Sequence, residues 1–128
     1  MTRVLVDTSV WIDHLRDADP QLVALLESGR VTVHPMVIGE LALGNLRDRA
    51  TILELISQLP ASPTASDVEV LQLIETRQLH GTGLSLVDTH LLASALIGAD
   101  VRIWTRDRRL ADAASAAAVG WPGSSRSG

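Results

Sequence analysis

The segment Arg3-Val4-Leu5-Val6-Asp7 holds a short apolar, β-branched run that ends at an acidic residue. Such a run predicts a buried strand, and Thr8 or Ser9 can cap a helix directly after it. Two further strands are predicted at Val31–Val33 and Val101–Trp104, with helical spacing of apolar residues in the intervals. Short strands that alternate with helices predict an α/β fold with a mainly parallel central sheet.

Seven helices are predicted around these strands. Pro35 suits the first turn of the third helix, and Gly44 suits its end. The apolar spacing predicts helices at Thr8–Leu15, Gln21–Ser28, Pro35–Leu43, Asp48–Leu59, Ala65–Leu79, Ser85–Ile97 and Arg108–Ala118. The length of 128 residues, 46% of them hydrophobic, suits a single core. We expect one domain over residues 1–121 and a flexible Gly/Ser-rich tail over residues 122–128.

The composition argues against several classes of function. The chain has no cysteine, which excludes disulfides, zinc–thiolate sites and thiol catalysis and fits a reducing cytoplasm. No secretory signal precedes the first strand and no apolar stretch is long enough for a membrane span, so we expect a soluble cytoplasmic protein. The net charge of -4, without lysine, phenylalanine or tyrosine, argues against broad nucleic-acid binding through a basic or base-stacking surface.

Four acidic residues occupy positions that suit metal chemistry. Asp7 and Asp107 follow predicted strands, and functional sites gather beyond the carboxyl ends of parallel strands. Asp88 lies in the first turn of a helix, and Glu40 lies among apolar neighbours, off the usual solvated face. Mg²⁺ and Mn²⁺ prefer carboxylate oxygen, and clustered carboxylates raise one another's pKa unless cations neutralise them. Together the acids predict a divalent-metal site suited to phosphodiester cleavage.

Each acid taken singly also has a structural interpretation. Asp7 could be a turn residue that leads into a helix. Asp88 completes the capping-box-like pattern Ser85-x-x-Asp88, and Asp107 could cap the last helix. Glu40 could be an ordinary surface residue. The composition and spacing leave both interpretations open at each position.

Four segments in order resemble PIN-domain nucleases, especially VapC toxins of type II toxin–antitoxin systems. They are Val4-Leu5-Val6-Asp7-Thr8-Ser9-Val10-Trp11-Ile12-Asp13, Pro35-Met36-Val37-Ile38-Gly39-Glu40-Leu41, Leu86-Val87-Asp88-Thr89-His90-Leu91-Leu92-Ala93 and Trp104-Thr105-Arg106-Asp107-Arg108-Arg109-Leu110. Each segment alone is weak evidence, whereas the ordered set covers nearly the whole chain and is quite specific. One departure is His34, where the family more often has Ser or Thr, which puts the cap of the third helix in doubt.

The resemblance implies a three-layer α/β/α fold and an endoribonuclease that needs Mg²⁺ or Mn²⁺ and cleaves transfer or ribosomal RNA. It implies a homodimer that a VapB-type antitoxin inhibits by covering the active-site groove, with DNA bound only through the antitoxin. It also implies a set of metal-binding catalytic acids and a set of supporting hydroxyls. The acids are Asp7, Glu40, Asp88 and Asp107, and the hydroxyls are those of Thr8 or Ser9 and of Thr105.

Arginines cluster in the sequence around Asp107. They could contact RNA phosphates, because the guanidinium fork matches phosphate oxygens. They are Arg102, Arg106, Arg108 and Arg109. The alternative is that they form a solvated strand edge and helix start.

Two other functions compete with the nuclease. A phosphoryl-transfer protein also places an aspartate after a parallel strand, but those families use a lysine that this chain lacks, and position 9 is serine instead of a second aspartate. A catalytically inactive PIN-like interaction module would keep the fold without the chemistry, although all four acids are retained. Dinucleotide binding has no support, because no Gly-x-Gly-x-x-Gly follows the first strand.

Overall fold

The computed structural model describes residues 1–122. Three parallel strands form its sheet in the order β2-β1-β3. They are β1 (Arg3–Val6), β2 (Val31–Thr32) and β3 (Val101–Trp104). The predicted parallel sheet is confirmed, although β2 stops one residue early because Val33 forms an isolated bridge with Ala61. Residues 123–128, which are most of the predicted tail, lie outside the described residues.

Helices occupy all seven predicted intervals, with ends that differ from the predictions by up to three residues. They are α1 (Thr8–Arg16), α2 (Pro20–Glu27), α3 (Pro35–Leu43), α4 (Arg49–Ser57), α5 (Asp67–Thr76), α6 (Leu86–Ile97) and α7 (Arg108–Ala116). The crossover from β1 to β2 and the crossover from β2 to β3 run in opposite directions across the sheet. Right-handed crossovers therefore put their helices on opposite faces, which gives the expected three-layer α/β/α architecture.

The core lies on the sheet and is built from aliphatic side chains. Val4, Leu5 and Val6 are fully buried, so the central strand β1 is apolar on both faces, as a strand covered by helices must be, and Ile103 of β3 is fully buried beside it. Each such side chain contributes roughly 1.5–3 kcal/mol relative to an exposed one. Among residues 1–122 no helix is both long and apolar enough to cross a bilayer.

The register of β1 against β3 determines where the acidic residues lie. Val6 pairs with Trp104, so the next residues, Asp7 and Thr105, leave the sheet side by side at its carboxyl edge. The Asp7 backbone N–H still donates to the Trp104 carbonyl at 2.9 Å, which continues the ladder by one residue. After α7 the chain returns to the sheet, where Gly120 bridges Ile103 and ends the described fold against it.

Candidate active site

Asp7 is a buried carboxylate held by hydroxyl groups. Its side chain is part of a residue only 5% exposed, and its Oδ2 atom accepts hydrogen bonds from Ser9 Oγ at 2.7 Å and Thr105 Oγ1 at 2.8 Å. Asp7 occupies the N-cap position of α1, but its side chain makes no capping hydrogen bond. The turn-residue interpretation therefore does not account for the carboxylate, which is directed into a polar network between two strands.

The same hydroxyls also fix the loop after β3. Thr105 Oγ1 accepts from the Asp107 backbone N–H at 3.0 Å, and Ser9 Oγ accepts from the Arg106 backbone N–H at 2.9 Å. Ser9 and Thr105 thus connect the carboxylate of Asp7 to the segment that carries Asp107. The sequence resemblance singled out Thr8 or Ser9, and Thr105. The hydroxyls of Ser9 and Thr105 each bond to Asp7 and to a backbone N–H of the loop, and they lie 3.4 Å from each other.

Asp88 is half-buried, and the pKa of its carboxyl is raised. Burial is the main cause, and the neighbouring carboxylates of Asp7 and Asp107 add to it, while hydrogen bonds with Ser85 act in the opposite direction. Asp88 also completes a capping box, because its N–H donates to Ser85 Oγ and its Oδ2 accepts from the Ser85 N–H. Asp88 therefore takes part in capping α6, as the structural interpretation predicts, and also lies near other acidic side chains.

Asp107 is exposed and caps α7. Its Oδ1 atom accepts from the Leu110 backbone N–H at 3.0 Å, as the capping interpretation predicts. The same carboxylate raises the pKa of Asp88, so it lies within electrostatic reach of the other acids. Asp7 and Asp107 therefore both lie within electrostatic range of Asp88, although the three residues come from separate stretches of sequence.

Glu40 is exposed, so the expected position off the solvated face is wrong. The core-facing positions of α3 are taken by Val37 and Leu41, and Glu40 lies beside that face instead of within it. Its Oε1 atom accepts a hydrogen bond from Thr8 Oγ1 at 2.7 Å. Because Thr8 follows Asp7 directly in the chain, this bond connects Glu40 to the edge of the candidate site.

The four arginines differ in their partners. Arg106 pairs with Asp13 at 2.8 Å and with Asp19 at 2.9 Å, and Arg102 lies 3.9 Å from Asp100 at the amino end of β3, away from the carboxyl edge. Arg108 and Arg109 are exposed in the first turn of α7 and have no ion pair within residues 1–122. The paired acids that neutralise Arg106 were missed by sequence reasoning, because only the tertiary fold brings α1 and the β3 loop together.

His34 resolves the doubt about the start of α3. Its Nδ1 atom accepts from the Met36 backbone N–H at 3.0 Å, so the imidazole performs the capping role for which Ser or Thr is the more usual residue. The ring is buried, and it lies against the ring of His90 with centroids 6.2 Å apart. Burial and the neighbouring His90 lower the pKa of His34. Sequence spacing gave no signal of this pair.

The chemistry of the site suits a hard divalent cation. All candidate ligands are carboxylates, and two of them raise the pKa of a third, a repulsion that a cation would relieve. Within the part of the chain that the structure describes, no three Asp, Glu or His side chains are placed so that they could hold a metal ion together.

Comparison with known proteins agrees with this fold. The model of the PIN domain family matches residues 4–116, and the chain belongs to that family. Two relatives are each named Ribonuclease VapC32, from Mycobacterium tuberculosis strains CDC 1551 / Oshkosh and ATCC 25618 / H37Rv. Each is 47% identical to this chain over 116 residues, which cover 91% of the chain and 94% of the relative.

Proposed function

We propose that this protein is a Mg²⁺- or Mn²⁺-dependent endoribonuclease and the toxin of a VapBC-type module. The observation that carries the proposal is the buried carboxylate of Asp7, held by two hydroxyls and electrostatically coupled to Asp88. A carboxylate buried without a positively charged partner is costly unless a cation or several hydrogen bonds compensate it. The name of the relatives, which says ribonuclease, supports RNA as the substrate.

Asp7 and Asp88 are proposed as the direct metal ligands. Asp7 is oriented by Ser9 and Thr105, and the raised pKa of Asp88 marks the point where a cation would gain most from neutralising negative charge. Asp107 and Glu40 complete the set. Each already has one oxygen in a hydrogen bond, Asp107 with Leu110 N–H and Glu40 with Thr8, which suits contact through metal-bound water.

The bound ion would lower the pKa of a water molecule and offset the negative charge that develops on the phosphate. The residues of the chain then have three tasks. The hydroxyls of Ser9 and Thr105 hold Asp7 in one orientation, and the capping box with Ser85 holds Asp88 at the start of α6. Asp107 or Glu40 would accept a hydrogen bond from a water bound at the site, because both residues are exposed.

A VapB-type antitoxin is proposed as the inhibitory partner. A groove of about 630 Å³ is lined by the C-terminal half of α1 and by the segment after α3, and its apolar lining includes Ile12, Leu15 and Leu46. Its rim carries Arg16 and Arg47, so an antitoxin segment with apolar and acidic side chains would fit. We further propose a homodimer, DNA contact only through the antitoxin, and a cytoplasmic location.

The test is metal-dependent cleavage by the purified protein. Wild type is incubated with mixed transfer and ribosomal RNA in Mg²⁺, in Mn²⁺ and in chelator, and the new ends are mapped. We expect discrete ends only with metal, and none from Asp7→Asn. Asp17→Asn is the matched control, because it makes the same chemical change at the other end of α1.

Calorimetry separates the nuclease from the inactive interaction module. A nuclease should take up Mn²⁺ in a manner that Asp7→Asn or Asp88→Asn abolishes and Asp17→Asn does not. An inactive module would bind antitoxin yet cleave no RNA with either metal, and that result would replace the proposal.

A further inference from the structure

Gly83 lies directly beneath the side chain of Arg109. Gly83 has a φ of +86°, and a Cβ atom at this position would lie 2.8 Å from Arg109 Nε and 2.9 Å from both Cδ and Cζ. Such distances are well inside van der Waals contact, so the absence of a side chain at Gly83 is what allows the guanidinium group to lie there. We call this contact the Gly83 seat.

The seat connects the two segments that carry Asp88 and Asp107. Gly83 precedes Ser85, the capping partner of Asp88, by two residues, and Arg109 follows Asp107 by two residues. Because Asp107 raises the pKa of Asp88, these segments are neighbours across the site. Arg109 therefore lies on the segment that carries Asp107 and contacts the segment that leads to Asp88.

Arg109 also keeps its charge available. It is exposed, and within residues 1–122 its guanidinium forms no ion pair. Arg106, by contrast, is neutralised by Asp13 and Asp19. Arg108 is exposed like Arg109. A flexible arginine loses rotamer entropy when it is fixed. A side chain that is already held loses less on binding.

We propose that the Gly83 seat holds the guanidinium of Arg109 to receive an RNA phosphate next to the carboxylate site. The inference rests on the proposed ribonuclease function and deepens it. Among the four candidate arginines, Arg109 is the one to which we assign phosphate binding. Gly83 is the positioning residue, and its effect on RNA acts through Arg109. The bound phosphate would be kept close to carboxylates that otherwise repel it.

The chain supplies a matched control in the same loop. Gly81 also has a positive φ, +73°, but a Cβ there would have nothing within 4 Å. Gly81→Ala and Gly83→Ala therefore introduce similar backbone strain, and only Gly83→Ala displaces Arg109. Binding is measured by fluorescence anisotropy with a short fluorescein-labelled single-stranded RNA and Mg²⁺. Every protein carries Asp7→Asn to prevent cleavage, and salt is varied between about 50 mM and about 200 mM.

We expect Gly83→Ala to weaken RNA affinity about tenfold, the loss typical of one charge-assisted hydrogen bond. The slope of log Kd against log salt should fall by about 0.7, the value for one phosphate contact on a single strand. Gly81→Ala should keep the parental slope. Arg109→Ala should match Gly83→Ala, and the double variant should be no weaker than Arg109→Ala alone.

An unchanged salt slope in Arg109→Ala overturns the proposal, as do equal effects of Gly81→Ala and Gly83→Ala. Melting curves recorded first establish that both alanine variants fold. If Gly83→Ala does not fold, the RNA affinity of Arg109→Lys tests the proposal instead. Lysine keeps the charge but lacks the planar group that lies on Gly83. Full RNA affinity in Arg109→Lys would contradict the proposed role of the Gly83 seat. The wild type's own metal-dependent cleavage is recorded separately, so a failed ribonuclease proposal is distinguishable from a failed seat.

Discussion

The Thr105 hydroxyl donates to Asp7 Oδ2 at 2.8 Å and connects the residue after β3 to the residue after β1. The contact follows from the strand register, since Val6 pairs with Trp104 one position earlier. It places a neutral donor on a buried carboxylate and leaves the negative charge in place. The orientation of Asp7 is thus built into the sheet and does not depend on a flexible loop.

Thr105→Val should destabilise the metal-free protein. Valine has nearly the same shape but removes a donor to a carboxylate that is 5% exposed, and it also removes the acceptor for Asp107 N–H. The expected loss is about 1–3 kcal/mol in urea unfolding. Thr8→Val makes the same change at an exposed hydrogen bond to Glu40, and its loss should be smaller. Equal losses in the two variants would contradict the account of the buried network.

Asp88→Asn should stabilise the metal-free fold at pH 7. The raised pKa of Asp88 means that the native state binds its proton more tightly than the unfolded chain. The contribution of the Asp88 carboxyl to the free energy of unfolding is therefore fully present below its ordinary pKa of 3.8. It is lost as the pH rises through the pKa of the folded state. Urea midpoints measured from about pH 3 to about pH 7 test this, because that range spans the ordinary pKa of an aspartate. The variant's advantage should shrink toward low pH, and a variant less stable than wild type at pH 7 would disagree.

His34→Asn should make the fold less sensitive to mild acid. Burial, and secondarily His90, lower the pKa of His34, so the unfolded chain takes up this proton first as pH falls through the ordinary value of 6.5. Wild type therefore loses stability as the pH falls toward the lowered folded pKa. Asparagine keeps a good N-cap for α3 without a titrating group. Thermal melts above and below pH 6.5 should show a smaller drop for the variant, and parallel drops would count against the assignment.

Two glycine-to-alanine changes should act in opposite directions. Gly39 lies inside α3, and a Cβ there meets nothing within 4 Å, so Gly39→Ala should stabilise by about 0.5–1 kcal/mol. At Gly98, which ends α6, a Cβ would lie 2.6 Å from Val101 Cγ2 in the buried start of β3. Gly98→Ala should destabilise by about 1–3 kcal/mol. Differential unfolding in urea measures both, and a shift of the same sign for the two would be inconsistent with the packing.

Strand positions were predictable from the sequence because they depend on local apolar runs. The ends of the helices were less predictable, because they depend on individual hydrogen bonds. The fifth helix was expected over Ala65–Leu79 but occupies Asp67–Thr76, since Ser66 and Glu69 form a capping box that fixes its start. At its other end Gln78 adopts a φ of +52°, which no helix allows.

The sequence singled out Asp7, Asp88 and Asp107 as candidate site residues, and their role stays a prediction. In the fold, Asp7 and Asp107 lie within electrostatic range of Asp88. The burial of Glu40 was misjudged because apolar neighbours in sequence do not reveal which face of a helix meets the core. The pairing of Arg106 with Asp13 and Asp19 and the seat at Gly83 join distant segments, so only the tertiary structure reveals them.

The most direct test of metal-dependent RNA cleavage at Asp7 is the sequencing of RNA 5′ ends after brief pulsed expression of wild type and of Asp7→Asn in growing cells. The account predicts a small set of new ends, shared between replicates, in cells that express wild type and none in cells that express the variant. Identical end profiles from the two proteins, at matched expression, would contradict it.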